Sequence, residues 1–403
     1  MKQILHTPEG VRDIYSLEYA KKLVIQEKLH KVLHLYGYHD IQTPTFEYFD
    51  VFRKEIGTIS SKELYKFFDR EGNTLVLRPD ITPSIARASA TFFSDQTLPI
   101  RLCYIGNTFM NQSSYRGKLK ESTQLGAELV GDATVQADAE MLALVIDSLK
   151  AVGLEEFQIT VGNAAYFQSI LNEACMDEKE ELRARELITN RNYFGLDEQL
   201  REIHMNEKTR TTFSQLAELV GGQDILSMAK RNAPNETAKQ AITHLEELYE
   251  ILQMYGMENY VTFDLSMSGT YGYYTGIVFR GYTYGTGDAI VKGGRYDRLI
   301  GKFGKDLPSI GFAIVVDELM NALSRQKIHV PVEQSNTLIV YDKNREKEAI
   351  ILAQEYRHSG RNTELLWKNP EKALEEYKDY GRKHMASSLI FLGEGEESVR
   401  MEL

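Results

Sequence analysis

At 403 residues the chain is long enough for two or three domains and a proper core. Hydrophobic residues at 42% and charged residues at 26% are ordinary for a soluble globular protein, and no apolar run approaches the roughly 18 residues of a membrane span. A formal charge of −11 offers no basic field for nucleic acid, and two cysteines, Cys103 and Cys175, are too few for a disulfide framework or a metal cluster. The opening MKQILHTPEGVRD lacks the apolar core of a secretion signal, so a reducing cytoplasm is the expected compartment.

The first predicted helix covers 16–36, with Ser16 as its cap and Gly37 as its stop. Ile25, Leu29, Val32, Leu33 and Tyr36 fall on one stripe of it. The following GYHDIQTPTFEYFDVF begins extended, and Pro44 suits a strand end. TLVLRPD at 74–80, a helix over about 82–93 and the strand-like IRLCYIGNTFM at 100–110 come next. In STQLGAELVG, 122–131, period two puts Gln124, Gly126 and Glu128 on one side and Leu125, Ala127 and Leu129 on the other. That polar side either faces water or lines a polar cavity on an antiparallel sheet, and spacing alone leaves both open.

A helix over about 135–152 and a strand, FQITVG, precede a change of character. Residues 165–260 read as charged helices inserted between two halves of a sheet, the clearest over 235–255. The stretch 266–297 then packs eight glycines and six tyrosines into 32 residues. Glycine at that density costs backbone entropy and implies turns or backbone pressed against a neighbour or ligand. It reads as a hairpin: a strand at 271–280, a turn at 281–287, a returning strand at 288–292, and Gly293-Gly294-Arg295-Tyr296 presenting backbone N–H groups and rings to a small polar molecule. A helix is predicted over about 311–325. After a linker at 327–336, TLIVYD and SSLIFLG alternate with helices near 345–359 and 371–384, a pattern for a small parallel or mixed sheet. With 13 acidic against 11 basic residues over 335–403, this module is not basic.

Taken in order, these segments resemble the histidyl-tRNA synthetase family over roughly residues 7–325. TPEGVRDIY resembles its opening, YGYHDIQTP class II motif 1, and LRPDITPSIARA the strand that contacts the amino acid. YIGNTFMNQ with TQLGAELVG resembles motif 2 and its following strand. YGYYTGIVF and GGRYD resemble the two histidine-specific motifs, and GFAIVVDEL motif 3. The resemblance implies an α+β fold, a class II synthetase-like antiparallel sheet flanked by helices. It implies a catalytic-type domain from 1–164 and 261–326, a helical insertion at 165–260, and a C-terminal α/β domain at 335–403 resembling an anticodon-binding domain.

Departures from the family pattern carry the functional expectation. The motif 2 strand of the family has Phe-Arg-x-Glu, and this chain has Phe109-Met110-Asn111-Gln112. An arginine precedes the paired tyrosines in the family, where Gly269 stands here, and Glu318 replaces the arginine of motif 3. Activating a carboxylate with ATP needs fixed positive charge on the phosphates, a task suited to the bidentate guanidinium. Lys118 and Lys120 are flexible and make poor substitutes. No catalytic residue, cofactor or metal is therefore expected. The positions that hold free histidine in the family are kept as Asp80, Thr82, Gln124, Glu128, Tyr273, Tyr274 and Tyr296.

A synthetase-like chain stripped of its activation arginines resembles the regulatory subunits of ATP phosphoribosyltransferase. That resemblance implies a non-catalytic homodimer joined to a short catalytic subunit in a hetero-octamer, for the first step of histidine biosynthesis, with histidine as feedback effector. It implies neither a membrane nor a tRNA partner. The alternatives are a divergent active histidyl-tRNA synthetase and a histidine-sensing synthetase paralogue with another partner.

Overall fold

The computed structural model describes residues 6–52, 60–93, 97–112, 119–203, 205, 207–267, 272–332, 336–395 and 398–403. Lys118 and Gly269, named above, lie outside these residues, as do the expected bounds at 271 and 335. Two units arise, one from Met1–Asp13 with Ile25–His329, the other from Ile14–Val24 with Val330–Leu403. Among the described residues no helix is long and apolar enough to cross a membrane.

The larger unit is built on a nine-stranded sheet. Its order is His39–Asp40, Ile100–Phe109, Glu121–Val130, Ser309–Val315, Val291–Arg295, Ile277–Thr283, Phe157–Asn163, Val261–Asp264, Val220–Gly221. The six strands from Ile100–Phe109 to Phe157–Asn163 pair antiparallel, and parallel pairing appears only toward the edges, at His39–Asp40 and Val261–Asp264. Helix Val135–Ala151 is buried along much of its length, from Ala137 to Leu149. This sheet has the expected class II character.

Several local expectations change. The apolar run Ser309–Val315 is a central strand, and the helix begins only at Val316 and ends at Arg325. A short continuous apolar run does not reveal its period, which is why 311–315 read as helix. The hairpin strands are Ile277–Thr283 and Val291–Arg295, displaced from the expected bounds. Gly293 and Gly294 lie within the returning strand, paired to Phe279 and Val278 on one side and to Phe312 and Gly311 on the other. Their backbone is therefore engaged in the sheet, and both line the cavity described below. Their missing side chains make room for aromatic rings: a Cβ at Gly293 would stand 2.3 Å from Phe279 Cζ, and one at Gly294 2.7 Å from Tyr274 Cδ1. Gly293→Ala is expected to overpack this layer and cost about 1–3 kcal/mol, read as a lower denaturation midpoint; an unchanged midpoint would contradict this packing.

The segment between Phe157–Asn163 and Val261–Asp264 contains helices Ala164–Ala174, Glu178–Thr189, Tyr193–Glu202, Glu207–Gln215, Asp224–Asn232 and Glu236–Met254. Side-chain caps explain three of their starts. Asn163 accepts from the backbone N–H of Ala165, Asp177 forms a capping box with Glu180, and Asn235 accepts from Ala238. The short strand Val220–Gly221 interrupts the helices and extends the sheet edge, a strand the helical reading omitted.

The smaller unit has a four-stranded sheet in the order Thr363–Trp367, Asn336–Tyr341, Ala386–Leu392, Ser398–Glu402. Its first two neighbouring pairs are parallel and its last is antiparallel, so the sheet is mixed. Helices Glu346–His358 and Leu374–Lys383 pack on it, around Ile339 and Ile390 on one side and Leu338 and Leu389 on the other.

Candidate functional site

The antiparallel sheet of the larger unit forms one wall of a cavity of about 630 Å³. Six of the seven expected ligand residues line it: Asp80, Thr82, Gln124, Tyr273, Tyr274 and Tyr296. Thr82 begins helix Thr82–Phe92, where Pro83 suits the first turn because its missing N–H would be unsatisfied there anyway. Gln124 comes from strand Glu121–Val130, and Tyr296 directly follows Val291–Arg295. The polar side of Glu121–Val130 thus faces a cavity, and its far end is buried on both sides.

Glu128 is the exception. Fully buried, it lies behind the wall, where it accepts hydrogen bonds from Thr82 Oγ1 at 2.7 Å and the Tyr296 hydroxyl at 2.6 Å. A Cβ on the neighbouring Gly311 would come within 1.5 Å of Glu128 Oε2, so the carboxylate occupies the space that glycine leaves. Burial pushes its carboxyl up to about 8, against the opposing hydrogen bonds from Tyr296 and Thr82 and with a further push from Asp80. Asp80 is also raised, mainly by burial, although the Tyr273 hydroxyl at 3.2 Å and the Ile81 N–H at 2.9 Å stabilise its charge. Burial keeps the phenols of Tyr274 and Tyr296 protonated. Tyr273 meets Tyr296 edge-on at 6.0 Å and Tyr274 at 4.8 Å between ring centroids. Gln124 Oε1 is buried without a hydrogen-bond partner. A buried acceptor left unpaired is costly, and a ligand N–H entering here would satisfy it.

Asp80 is the buried acid that lines the cavity, and a positive charge beside it would favour its ionised form. The wall as a whole disfavours an anion. It carries Asp80, Asp288, Asp317 and Glu318 against Lys292 and Arg325, four acids to two bases. Lys292 stands 3.8 Å from Asp288, and the Arg325 guanidinium donates to the Gly285 carbonyl. Met110 and Gln112 contribute neutral side chains at the end of strand Ile100–Phe109. Lys120 does not line the cavity; its chain lies against Gly10.

Arg78 and Arg295 do not line the cavity and are buried elsewhere. Arg78 donates to the carbonyls of Asn107, Thr43 and Pro44, and Arg295 pairs with Asp138 and Asp297. Sequence reasoning passed over Asn321 and Arg325. With Glu318 they share one face of helix Val316–Arg325 at spacings of three and four, a signal hidden by starting that helix too early. A more open depression of about 760 Å³ in the smaller unit, edged by Arg357, Arg361 and Thr363, gathers no comparable set of converging groups.

The family described as histidyl-tRNA synthetase matches residues 10–319. A protein of Acetivibrio thermocellus named ATP phosphoribosyltransferase regulatory subunit is 38% identical over 90% of this chain and 86% of its own length. One of Ruminiclostridium cellulolyticum with the same name is 35% identical over 98% and 93%. A crystal structure from Bacillus halodurans, titled as an ATP phosphoribosyltransferase regulatory subunit/histidyl-tRNA synthetase, superposes with a TM-score of 0.86 at 32% identity, covering 98% of this chain and all of that one. Histidyl-tRNA synthetase from Nostoc shares the fold, with a TM-score of 0.79 at 20% identity. The family match over most of the chain and these relatives place the chain in the family of ATP phosphoribosyltransferase regulatory subunits, on the histidyl-tRNA synthetase fold.

Proposed function

We propose that this chain is a non-catalytic regulatory subunit that binds histidine, or a ligand of the same chemistry, in the 630 Å³ cavity. The observation that carries this reading is the division of that one cavity. Gln124 with its unpaired Oε1, buried Asp80 and the three tyrosines line one part of it, while neutral Met110 and acidic Glu318 line the same cavity at positions where the synthetase family has arginines. An α-ammonium suits Asp80, and imidazole can bond with Gln124 and the tyrosine hydroxyls. Glu128 acts from behind, through Thr82 and Tyr296.

The reaction belongs to a partner, a short-form ATP phosphoribosyltransferase, joined to a homodimer of this chain in a cytoplasmic hetero-octamer for the first step of histidine biosynthesis. The exposed rings of Phe46, Tyr48 and Phe68 on the small three-stranded sheet of Phe46–Tyr48, Thr74–Leu77 and Lys66–Phe68 support assembly into an oligomer. Feedback requires histidine to bind the inhibited and active arrangements with different affinities, because equal affinity shifts nothing. No tRNA takes part.

Mixing the purified chain with a short-form catalytic subunit tests the reading. Co-elution, a raised phosphoribosyl transfer rate and its suppression by histidine are expected, with no histidine-dependent ATP–pyrophosphate exchange by the chain alone. Robust exchange would establish a synthetase instead, and failure to co-elute would point to a sensor with another partner.

A further inference from the structure

At the edge of the large sheet, away from the cavity wall, four different metal-ligating side chains converge. His30 and His34 are one turn apart on helix Ser16–Leu35, with ring centroids 4.1 Å apart. Asp40 and Cys103 are register partners in the parallel pair His39–Asp40 and Ile100–Phe109. His30 Nε2 lies 2.5 Å from Asp40 Oδ1, His34 Nε2 3.0 Å from Asp40 Oδ2, and Cys103 Sγ 3.5 Å from Asp40 Oδ1. All four ligand atoms fall within 4.8 Å of one another, and none of these residues lines the cavity.

We propose that His30, His34, Asp40 and Cys103 form a tetrahedral site for one divalent transition-metal ion, zinc by its ligand chemistry. Two imidazoles, a carboxylate and a thiolate are a borderline-soft donor set, and the two anionic ligands neutralise a divalent charge. Ligand bonds of about 2.0–2.3 Å put tetrahedral donors roughly 3.3–3.8 Å apart. The Cys103–Asp40 separation already meets that spacing, and the two imidazole–carboxylate contacts need to open by less than about 1 Å. Small side-chain rotations can supply this, because His34 and Asp40 are exposed and give the ion a path from solvent. Spacing of four along one helix turn lets both imidazoles reach one ion, and Cys103 closes the site from the buried side. A bound ion would tie the helix, the edge strand and its neighbour together at one point. The cysteine count hides this site, since it uses a single thiol.

Cobalt(II) titration of the full chain, stripped with a chelator, tests the proposal. One equivalent is expected to bind per chain with tetrahedral visible bands and a thiolate-to-cobalt charge-transfer band, and zinc should displace it. Cys103→Ser should lose the charge-transfer band while Cys175→Ser keeps it. His34→Ala changes an exposed helix position to the best helix former and so leaves the fold intact; it should weaken cobalt binding by at least about tenfold. The site is refuted if the wild-type chain retains no more cobalt than His34→Ala, or if the charge-transfer band survives Cys103→Ser.

Discussion

From about pH 6 to about pH 9 the wild-type chain is expected to lose stability relative to Glu128→Gln. The sign follows from where the proton sits. Burial raises the Glu128 carboxyl to about 8 in the folded chain, whereas an unfolded glutamate titrates near 4.5. Between those values the folded chain binds the extra proton, so its stabilising contribution is complete below about 4.5 and is lost as pH rises through about 8. Glutamine retains the neutral shape and has no proton to lose. Urea midpoints of the two chains at each end of the range give the comparison; parallel pH profiles would show that Glu128 is already ionised.

If histidine binds in the cavity as proposed, the same proton couples to it. A cationic group held by Asp80 favours the ionised form of Glu128 behind it, so binding should release a proton and histidine affinity should rise toward pH 8. The rise attributable to Glu128 is bounded at about tenfold per pH unit. Calorimetric titration of Glu128→Gln should give a flatter profile, and the difference between the two chains removes the titration of histidine itself. Identical profiles would mean that the ligand never senses this carboxylate.

Arg295→Met is expected to cost about 3–5 kcal/mol, the usual penalty for leaving a buried charge without its partner. Arg295 is 5% exposed and donates through Nε to Asp138 Oδ1 at 2.9 Å, while Asp138 is fully buried and meets His244 at 2.6 Å. This network joins the strand before Tyr296 to helix Val135–Ala151 and helix Glu236–Met254. Removing the guanidinium leaves Asp138 with one imidazole, and the Asp138→Leu companion should recover part of the loss, since an apolar pair replaces an ion pair with little cost. The single tryptophan, Trp367, lies in the smaller unit, so its fluorescence follows that unit. Far-ultraviolet circular dichroism is the measure for the larger one. A loss below about 1 kcal/mol would place this pair among the weak surface bridges.

Much of the fold was legible because its signals are local. Gly37 after the stripe of Ile25, Leu29, Val32 and Leu33, and the alternation in Glu121–Val130, need only neighbours in sequence, and the structure follows both. Motif order supplied what periodicity could not, namely that residues as far apart as Asp80, Gln124, Tyr273 and Tyr296 share one cavity. Local signals failed where pairing decided conformation. Ser309–Val315 is a strand because it lies between Glu121–Val130 and Val291–Arg295, and Gly293-Gly294 is sheet because Phe279 and Tyr274 cover it.

Residue identity by itself determined the loss of the family's arginines: Met110, Gly269 and Glu318 cannot provide fixed positive charge in any fold. Only tertiary structure decided how the remaining groups act. Glu128 becomes a buried acid behind Thr82 and Tyr296, and Arg78 and Arg295 are drawn into structural bonds away from the cavity. Strand pairing brings Cys103 to Asp40 across 63 residues and sets both beside His30 and His34. Charge type is written in the chain, whereas desolvation and convergence depend on neighbours that only folding supplies.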